Sequence, residues 1–286
     1  MPILWGVTLL WAFSFSLIGV YLAGQVDSYF AVLTRVALAS LVFLPLILRY
    51  PVAPALAARL MGIGAIQLGL MYLFYYQSFL LLSVPEVLVF TIFTPLYVTL
   101  IYDLLAGRFH PGYLLSAALA IAGAAVMRYN QLSSGFWAGF FMVQATNLCF
   151  ATGQVLYKRL LETWPSSKPI IQSQVFGWFY LGALVVVIPA WLLLGSDQYP
   201  HDGLRWGILI WLGVVASALG YFGWNLGATR VSSGQLAIMN NALIPAGLLV
   251  NLLIWNRDTD VWRLAAGSAL MMLALWLVTR RRTERA

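Results

Sequence analysis

The sequence predicts an all-α membrane protein whose ten transmembrane helices form two inverted five-helix repeats. The first observation behind this prediction is composition: 62% of the 286 residues are hydrophobic, 9% are charged, and the mean hydropathy is +0.87. Soluble domains, in contrast, carry about one quarter charged residues. The second observation is a series of ten long apolar runs with short gaps, and the third is a set of matches between the two halves.

Each apolar run is interpreted as one transmembrane helix. About 20 apolar residues cross a bilayer as a helix, and backbone polar groups in lipid are satisfied only within helices or closed barrels. The first run starts directly after Met1 without a basic segment, which predicts a retained span. Ser83 and Pro85 mark the turn between the third and fourth runs, because proline is favoured at a helix start. The runs occupy residues 2–22, 28–48, 60–81, 84–105, 110–128, 134–157, 171–194, 204–228, 233–254 and 261–279.

The basic residues predict that both termini lie in the cytoplasm. With the N-terminus inside, eleven Lys and Arg residues fall on the inner face and four on the outer face, and cytoplasmic loops carry the positive excess. The net charge of +7 therefore reflects topology, and the expected partner of these charges is the lipid bilayer, with no nucleic acid. The inner group is Arg49, Arg59, Arg108, Lys158, Arg159, Lys168, Arg230, Arg280, Arg281, Arg282 and Arg285, and the outer group is Arg128, Arg205, Arg257 and Arg263.

The chain divides near residues 130–133 into two repeats, residues 1–129 and 134–282. Each half has five runs, and the odd number means that the second half enters the membrane inverted. Ser83 and Pro95 match Ser233 and Pro245 at an offset of 150 residues. Inverted repeats are typical of secondary transporters, in which the substrate site lies near the midplane between the halves.

Two ionisable residues lie within apolar runs, and both are candidate site residues. Glu86 lies in the fourth run and Arg35 in the second. A charged group at membrane depth is costly unless it faces a cavity or a partner, so it indicates a functional site. The alternative is a buried Arg35–Glu86 pair that only orients helices.

Other polar and aromatic residues recur at helical spacing and are expected to line a cavity. The mixture of amides and aromatic rings favours a ligand with an apolar body and a few polar groups. The alternative is that the amides hold helices together, at about 1 kcal/mol each. These further candidate substrate-binding residues are Trp11, Ser14, Tyr76, Phe90, Tyr97, Asn147, Gln154, Tyr221, Trp224, Asn240 and Asn241.

Catalytic and cofactor motifs are not expected. His110 and His201 fall in opposite loops, which disfavours a metal site. The sequence has no Walker loop. An enzyme acting on lipid needs a nucleophile–base pair, and Glu86 has no evident His or Asp neighbour at its depth. The chain is therefore predicted to be no enzyme and to hold no cofactor.

Several short motifs resemble the drug/metabolite transporter superfamily, in its EamA-domain branch. They are residues 10–16 (LWAFSFS), residues 34–37 (TRVA), and the prolines in FTPL at 93–96 and LIPA at 243–246. Residues 27–33 (DSYFAVL), 94–97 (TPLY) and 239–241 (MNN) are similar to the inner-membrane biotin-uptake permeases of enteric bacteria, within the carboxylate/amino acid/amine transporter group. The resemblance covers nearly the whole chain.

This resemblance implies a bacterial inner-membrane transporter that takes up biotin, or a similar small carboxylated vitamin, by alternating access without an ATPase. Amides and Glu86 would then bind the ureido ring, and Arg35 or Lys158 the carboxylate. Proton coupling through Glu86 and uptake driven by the substrate gradient alone both remain open. The alternatives are an exporter of amino acids or amphipathic metabolites, and a membrane receptor or assembly subunit without transport.

Overall fold

The computed structural model describes residues 2–107, 109, 112–127, 134–165, 170–231, 233–255 and 260–283. Every regular element in these residues is a helix, so the prediction of an all-α protein is confirmed. The predicted repeat boundary at 130–133 lies outside the described residues. The same holds for Met1, His110 and five of the charges used for orientation, namely Arg108, Arg128, Lys168, Arg257 and Arg285.

The described residues of the predicted apolar runs are helical, except residues 79–81, 171 and 176. Six helices, α1–α4, α7 and α8, are long and apolar enough to cross a bilayer, and α9 and α10 contain shorter apolar segments. The helices are α1 Pro2–Leu22, α2 Ser28–Arg49, α3 Pro54–Ser78, α4 Val84–Leu105, α5 Gly112–Met127, α6 Ser134–Thr163, α7 Gln172–Leu194, α8 Gly203–Ala228, α9 Ser233–Ile254 and α10 Val261–Thr283.

Polar side chains at three helix starts satisfy backbone N–H groups that have no partner within the helix. Asp27 caps α2 by accepting from the N–H of Phe30 at 2.7 Å. Asp202 caps α8 by accepting from the N–H of Arg205 at 2.8 Å. That backbone bond, together with the guanidinium of Arg205, holds the pKa of the Asp202 carboxyl below its usual value. Ser83 begins α4 in the same manner.

Contacts between residues at the helix ends show which helix ends lie on the same side of the bundle. At one end, the guanidinium of Arg205 in the first turn of α8 donates to the carbonyl of Tyr21 at the end of α1, at 3.2 Å. At the opposite end, the guanidinium of Arg59 in α3 lies over the ring of Trp164 after α6, at 5.2 Å. There Gln172 at the start of α7 also donates to Thr229 after α8, at 3.1 Å.

Short π-helical segments interrupt α3 and α8, and another forms the C-terminal end of α1. The segment in α3 is Ala65–Leu70 and contains the buried Gln67, and the segment in α8 is Leu212–Leu219 and contains the buried Ser217. Such segments are rare and often occur at functional sites. Each of these two segments thus contains a buried polar side chain within an otherwise apolar helix.

The packing is dense where two glycines allow backbones to approach. Gly64 of α3 lies against the backbone of Phe179 in α7, and Gly182 of α7 lies against the backbone of Met61 in α3. A methyl group at either glycine would overlap the facing helix. Small residues allow this kind of close approach in membrane helix pairs.

We expect Gly182→Ala to destabilise the protein by about 1–3 kcal/mol, because the added methyl group must push α7 away from α3. Thermal unfolding of the purified protein in detergent measures the effect. The matched control is Gly62→Ala in α3, where an added methyl group meets no atom within 4 Å. The control should be neutral or stabilising by up to about 1 kcal/mol through helix propensity. Equal melting temperatures for the two variants would contradict the close α3–α7 contact.

Candidate functional site

A cavity lies between seven helices, α1–α4, α6, α8 and α9. This main cavity has mostly aromatic walls, interrupted by hydroxyl and amide groups and one cation. Its lining residues are Trp11, Ser14, Phe15, Arg35, Met71, Tyr72, Tyr75, Thr91, Thr94, Thr146, Asn147, Phe150, Tyr221, Trp224, Asn240 and Leu243.

Arg35 of α2 supplies the positive charge of the main cavity, and its side chain is 2% exposed. Its Nε donates to Ser217 Oγ at 3.0 Å, its Nη1 to the Tyr76 hydroxyl at 3.1 Å, and its Nη2 to the Tyr72 hydroxyl at 3.0 Å. The guanidinium carbon lies 4.3 Å from the centre of the Tyr72 ring, which adds a cation–π contact. Tyr72 and Tyr76 reach the same guanidinium because they are one helical turn apart.

The guanidinium of Arg35 has no acidic partner within the described part of the chain. The Arg35–Glu86 pair that the sequence left open is therefore not formed here. A guanidinium has five N–H donors, and three of its hydrogen bonds go to neutral hydroxyls. Because a buried charge without a counter-ion is unfavourable, the main cavity favours an anionic ligand.

Aromatic rings from three helices form one wall of the main cavity. The ring of Trp11 lies 4.7 Å from that of Tyr221 and 5.1 Å from that of Trp224. Phe150 contacts Tyr221 at 6.0 Å. The indole N–H of Trp11 donates to the carbonyl of Ala216 at 2.9 Å, which fixes the ring orientation. This wall offers a rigid apolar surface to the body of a ligand.

Asn147 connects α6 to an irregular turn of α4. Pro95 has no N–H, so the carbonyl of Thr91 lacks its usual helical donor. The hydroxyl of Thr94 donates to that carbonyl at 2.8 Å instead. The amide of Asn147 donates to the carbonyl of Phe90 at 2.9 Å. Asn147 therefore has a structural bond as well as a position on the main cavity.

Asn240 of α9 offers an unsatisfied donor. Its side chain is 7% exposed, and its Nδ2 has no hydrogen-bond partner among the described residues. A buried amide without a partner costs about 1–3 kcal/mol. A ligand carbonyl in the main cavity would remove this cost.

The structure brings seven of the predicted site residues to the main cavity. They are Trp11, Ser14, Arg35, Asn147, Tyr221, Trp224 and Asn240.

Three predicted residues lie behind the wall of the main cavity. Tyr76 accepts from Arg35, so it acts through the guanidinium. Phe90 is fully buried, and its ring lies 5.0 Å from that of Phe140. The hydroxyl of Tyr97 donates to Gln144 at 3.2 Å.

The other three predicted residues lie elsewhere. Glu86 is in the first turn of α4, where its Oε2 accepts from the N–H and the hydroxyl of Ser83, both at 2.8 Å, in a capping box. Gln154 lines a separate cavity. Asn241 is half-buried, lies outside the main cavity, and has no partner for its Oδ1 in the described residues.

Tyr72 and Ser217 belong to the polar and aromatic stripes of their runs but are not among the candidate substrate-binding residues, although both bind Arg35. Their hydroxyl oxygens are 2.8 Å apart, across 145 residues of sequence. Tyr180 extends the network by donating to the carbonyl of Ser217 at 2.8 Å. A lone arginine in an apolar run needs acceptors, and buried hydroxyls in other runs are the signal that could have found them.

The described residues hold no group of three His, Cys, Asp or Glu side chains that could bind a metal ion.

Comparisons with known proteins match this chain to transporters. The EamA-like transporter family matches residues 137–280. A protein of Pseudomonas aeruginosa named "Probable biotin transporter" is 54% identical over 272 residues, covering 95% of this chain and 94% of that protein. Proteins named "Biotin transporter" from Escherichia coli K12 and Salmonella typhimurium are each 50% identical over 279 residues, covering 97% of this chain and 92% of theirs.

One solved crystal structure shares the fold with a TM-score of 0.65. It is 19% identical in sequence, and the match covers 96% of this chain and 94% of that chain. At this level of identity, the likeness extends to the fold alone.

We expect Tyr72→Phe to lower the free energy of unfolding by about 1.5–3 kcal/mol, because it removes a hydrogen bond to a buried cation. Thermal unfolding in detergent measures the change. The matched control is Tyr75→Phe in the same helix, since the Tyr75 hydroxyl has no hydrogen bond to a described residue. A Tyr72→Phe protein as stable as the control would mean that Arg35 does not depend on this hydroxyl.

Proposed function

The chain belongs to the EamA-like transporter family, and we propose that it takes up biotin, or a similar small carboxylated vitamin, across the bacterial inner membrane. The observation that carries the proposal is Arg35, a buried cation that lines the main cavity and has no acidic partner among the described residues. The relatives named biotin transporters support the choice of substrate.

The chemistry of biotin matches the groups that face the main cavity. Its carboxylate would bind the free N–H donors of Arg35 in a charge-assisted hydrogen bond. Its ureido ring has one carbonyl and two N–H groups, and the unsatisfied Nδ2 of Asn240 would donate to the carbonyl. The bicycle and the valeryl chain would pack on Trp11, Tyr221 and Trp224. Each part of the substrate thus has a partner of the right kind.

Ten transmembrane helices in two inverted repeats, residues 1–129 and 134–282, would surround this site. The helix contacts support this arrangement. Helix α1 packs on α8 and α9, as α6 packs on α3 and α4. Helix α2 packs on α7 and α8, as α7 packs on α2 and α3, and α5 packs on α10. If each helix in these pairs is replaced by the helix five places away in the chain, the same set of helix pairs results.

The third helix of each half gives further support. Gln67 and Ser217, in the π-helical segments of α3 and α8, are 150 residues apart, the offset found in the sequence. Met71 and Tyr221 have the same separation, and the Tyr221 hydroxyl lies 3.9 Å from the Met71 sulfur. Positions related by a two-fold axis touch each other only beside that axis. The axis would therefore pass beside the main cavity, where alternating access requires it.

The orientation we propose places both termini in the cytoplasm. On this orientation, Arg59, Lys158 and Arg230 lie together at the cytoplasmic end of the bundle, with Arg205 and its acidic neighbour Asp202 at the other end. This distribution follows the positive-inside rule. Biotin would enter the main cavity from the periplasm and leave toward the cytoplasm as the two halves rock.

Two transport measurements distinguish this proposal from export of amino acids and from a receptor or assembly role without transport. Uptake of labelled biotin into liposomes that contain only this chain supports transport, and its absence supports a receptor or subunit. Rescue of a biotin-requiring, uptake-deficient host at low external biotin supports import over export.

We expect Arg35→Gln to weaken biotin binding at least tenfold. The change removes the positive partner of the carboxylate, and losing one member of a buried charge pair costs 2–5 kcal/mol or more, which is about 30-fold or more in affinity. Equilibrium binding to purified protein measures the change. Biotin amide, which has no charge, is the matched control ligand, and its affinity should fall much less. Equal losses for the acid and the amide would contradict a carboxylate site at Arg35.

The variant Glu86→Gln tests whether uptake is coupled to protons through Glu86. Glutamine cannot carry the proton of a carboxyl group, but it preserves the capping box. We expect this variant to keep at least half of the uptake rate and the same response to a pH gradient, since Glu86 caps its own helix with Ser83. Uptake into liposomes with and without the gradient is the measurement. A response present in the unmodified protein and lost in the variant would identify Glu86 as the coupling group.

A further inference from the structure

A second cavity, which in this conformation has room for about one water molecule, lies beside the main cavity along the same helices. On α6, Asn147 and Phe150 line the main cavity, whereas Gln154 and Lys158 line the second cavity. With a rise of 1.5 Å per residue, Gln154 lies about 6 Å beyond Phe150, and Lys158 about 6 Å further. The second cavity is thus the next space along α6 toward its C-terminal end.

Helix α8 gives the same order. Tyr221 and Trp224 line the main cavity, and Asn225 and Thr229 line the second cavity. Lys158 and Thr229 also line a cleft at the protein surface, together with the exposed Arg230. The second cavity therefore lies between the main cavity and the surface that we assign to the cytoplasmic side.

A layer of polar side chains divides the two cavities. The amide of Gln67 donates to Asn225 Oδ1 at 3.3 Å, and the amide of Asn225 donates to the carbonyl of Tyr221 at 3.0 Å. Gly153 of α6 packs directly on the side chain of Gln67. These groups are buried and would have to part for a substrate to pass.

The second cavity contains an amide with no partner. Gln154 is 4% exposed, and neither its Nε2 nor its Oε1 has a hydrogen-bond partner among the described residues. Leaving both atoms unsatisfied is costly. Its neighbour Lys158 is half-buried and has no ion pair or hydrogen bond within the described ranges. The second cavity thus presents a donor, an acceptor and a cation that nothing in the described fold uses.

We propose that the second cavity widens as the two halves rock and becomes a second binding station for the substrate, in which Lys158 takes the carboxylate and Gln154 binds the polar ring. This inference rests on the proposed function and adds an inner site to it. An anion that leaves Arg35 must cross the interior of the helix bundle at membrane depth, where an unpaired charge is unfavourable. Passing the carboxylate from Arg35 to Lys158 keeps it near a cation along the path. Binding shared between successive sites also allows release, because no single site has to hold the substrate tightly.

The test compares biotin uptake by Lys158→Arg, Lys158→Gln and Lys158→Glu, each reconstituted as the full chain in liposomes. We expect maximal biotin uptake at half or more of the unmodified rate for arginine, at least fivefold slower for glutamine, and slower again for glutamate, which repels the carboxylate. The equilibrium Kd for biotin, set mainly by the main cavity, should stay within twofold in all three. Gln154→Leu should also slow uptake without changing that Kd.

Arg159→Gln is the matched control, because Arg159 is exposed, adjacent in sequence, and lines neither cavity. It removes the same charge at the same end of α6 and should leave uptake unchanged. Equal uptake rates for the glutamine and glutamate variants of Lys158, or a glutamine variant as fast as the unmodified protein, would overturn the second station while leaving the proposed function intact. If the unmodified protein neither binds nor takes up biotin, the proposed function fails, and this inference fails with it.

Discussion

The buried guanidinium of Arg35 is the constraint on which the centre of the structure depends. A cation at this depth must have hydrogen-bond acceptors, and α3 and α8 supply them through Tyr72, Tyr76 and Ser217. These acceptors hold three helices around one point, yet none of them carries a negative charge. The same arrangement that makes the charge tolerable therefore leaves it able to attract an anion, so stability and binding have one physical origin.

The main cavity divides its tasks between rigid and adaptable groups. The wall of Trp11, Tyr221 and Trp224 is fixed by ring contacts and by the indole bond to Ala216. Asn240 has a free donor that a ligand can satisfy. Aromatic rings lose little conformational entropy on binding, whereas polar groups select the ligand by its hydrogen bonds. An amphipathic carboxylate suits both.

The sequence was sufficient to predict the helices, because long apolar runs leave the backbone no other way to satisfy its polar groups. Helical periodicity indicates which face of a helix is interior, but not at what depth. Gln154 follows Asn147 by seven residues, which places both on the same face of α6, and yet it lines a different cavity. The pairing of Tyr72 with Ser217 joins distant runs, so no local pattern contains it. For Glu86, the Ser-x-x-Glu spacing of residues 83–86 is the signature of a capping box, and the structure contains that box.

The uninterrupted length of α6 has a mechanical consequence. This single helix of 30 residues borders both cavities, and Gly153, where it presses on α3, lies between the two groups of lining residues. A stiff rod that tilts about such a fulcrum moves its two arms in opposite directions. Such a tilt widens one cavity and narrows the other. If the two halves rock as proposed, the rigidity of this one helix would disfavour a continuous leak through the protein.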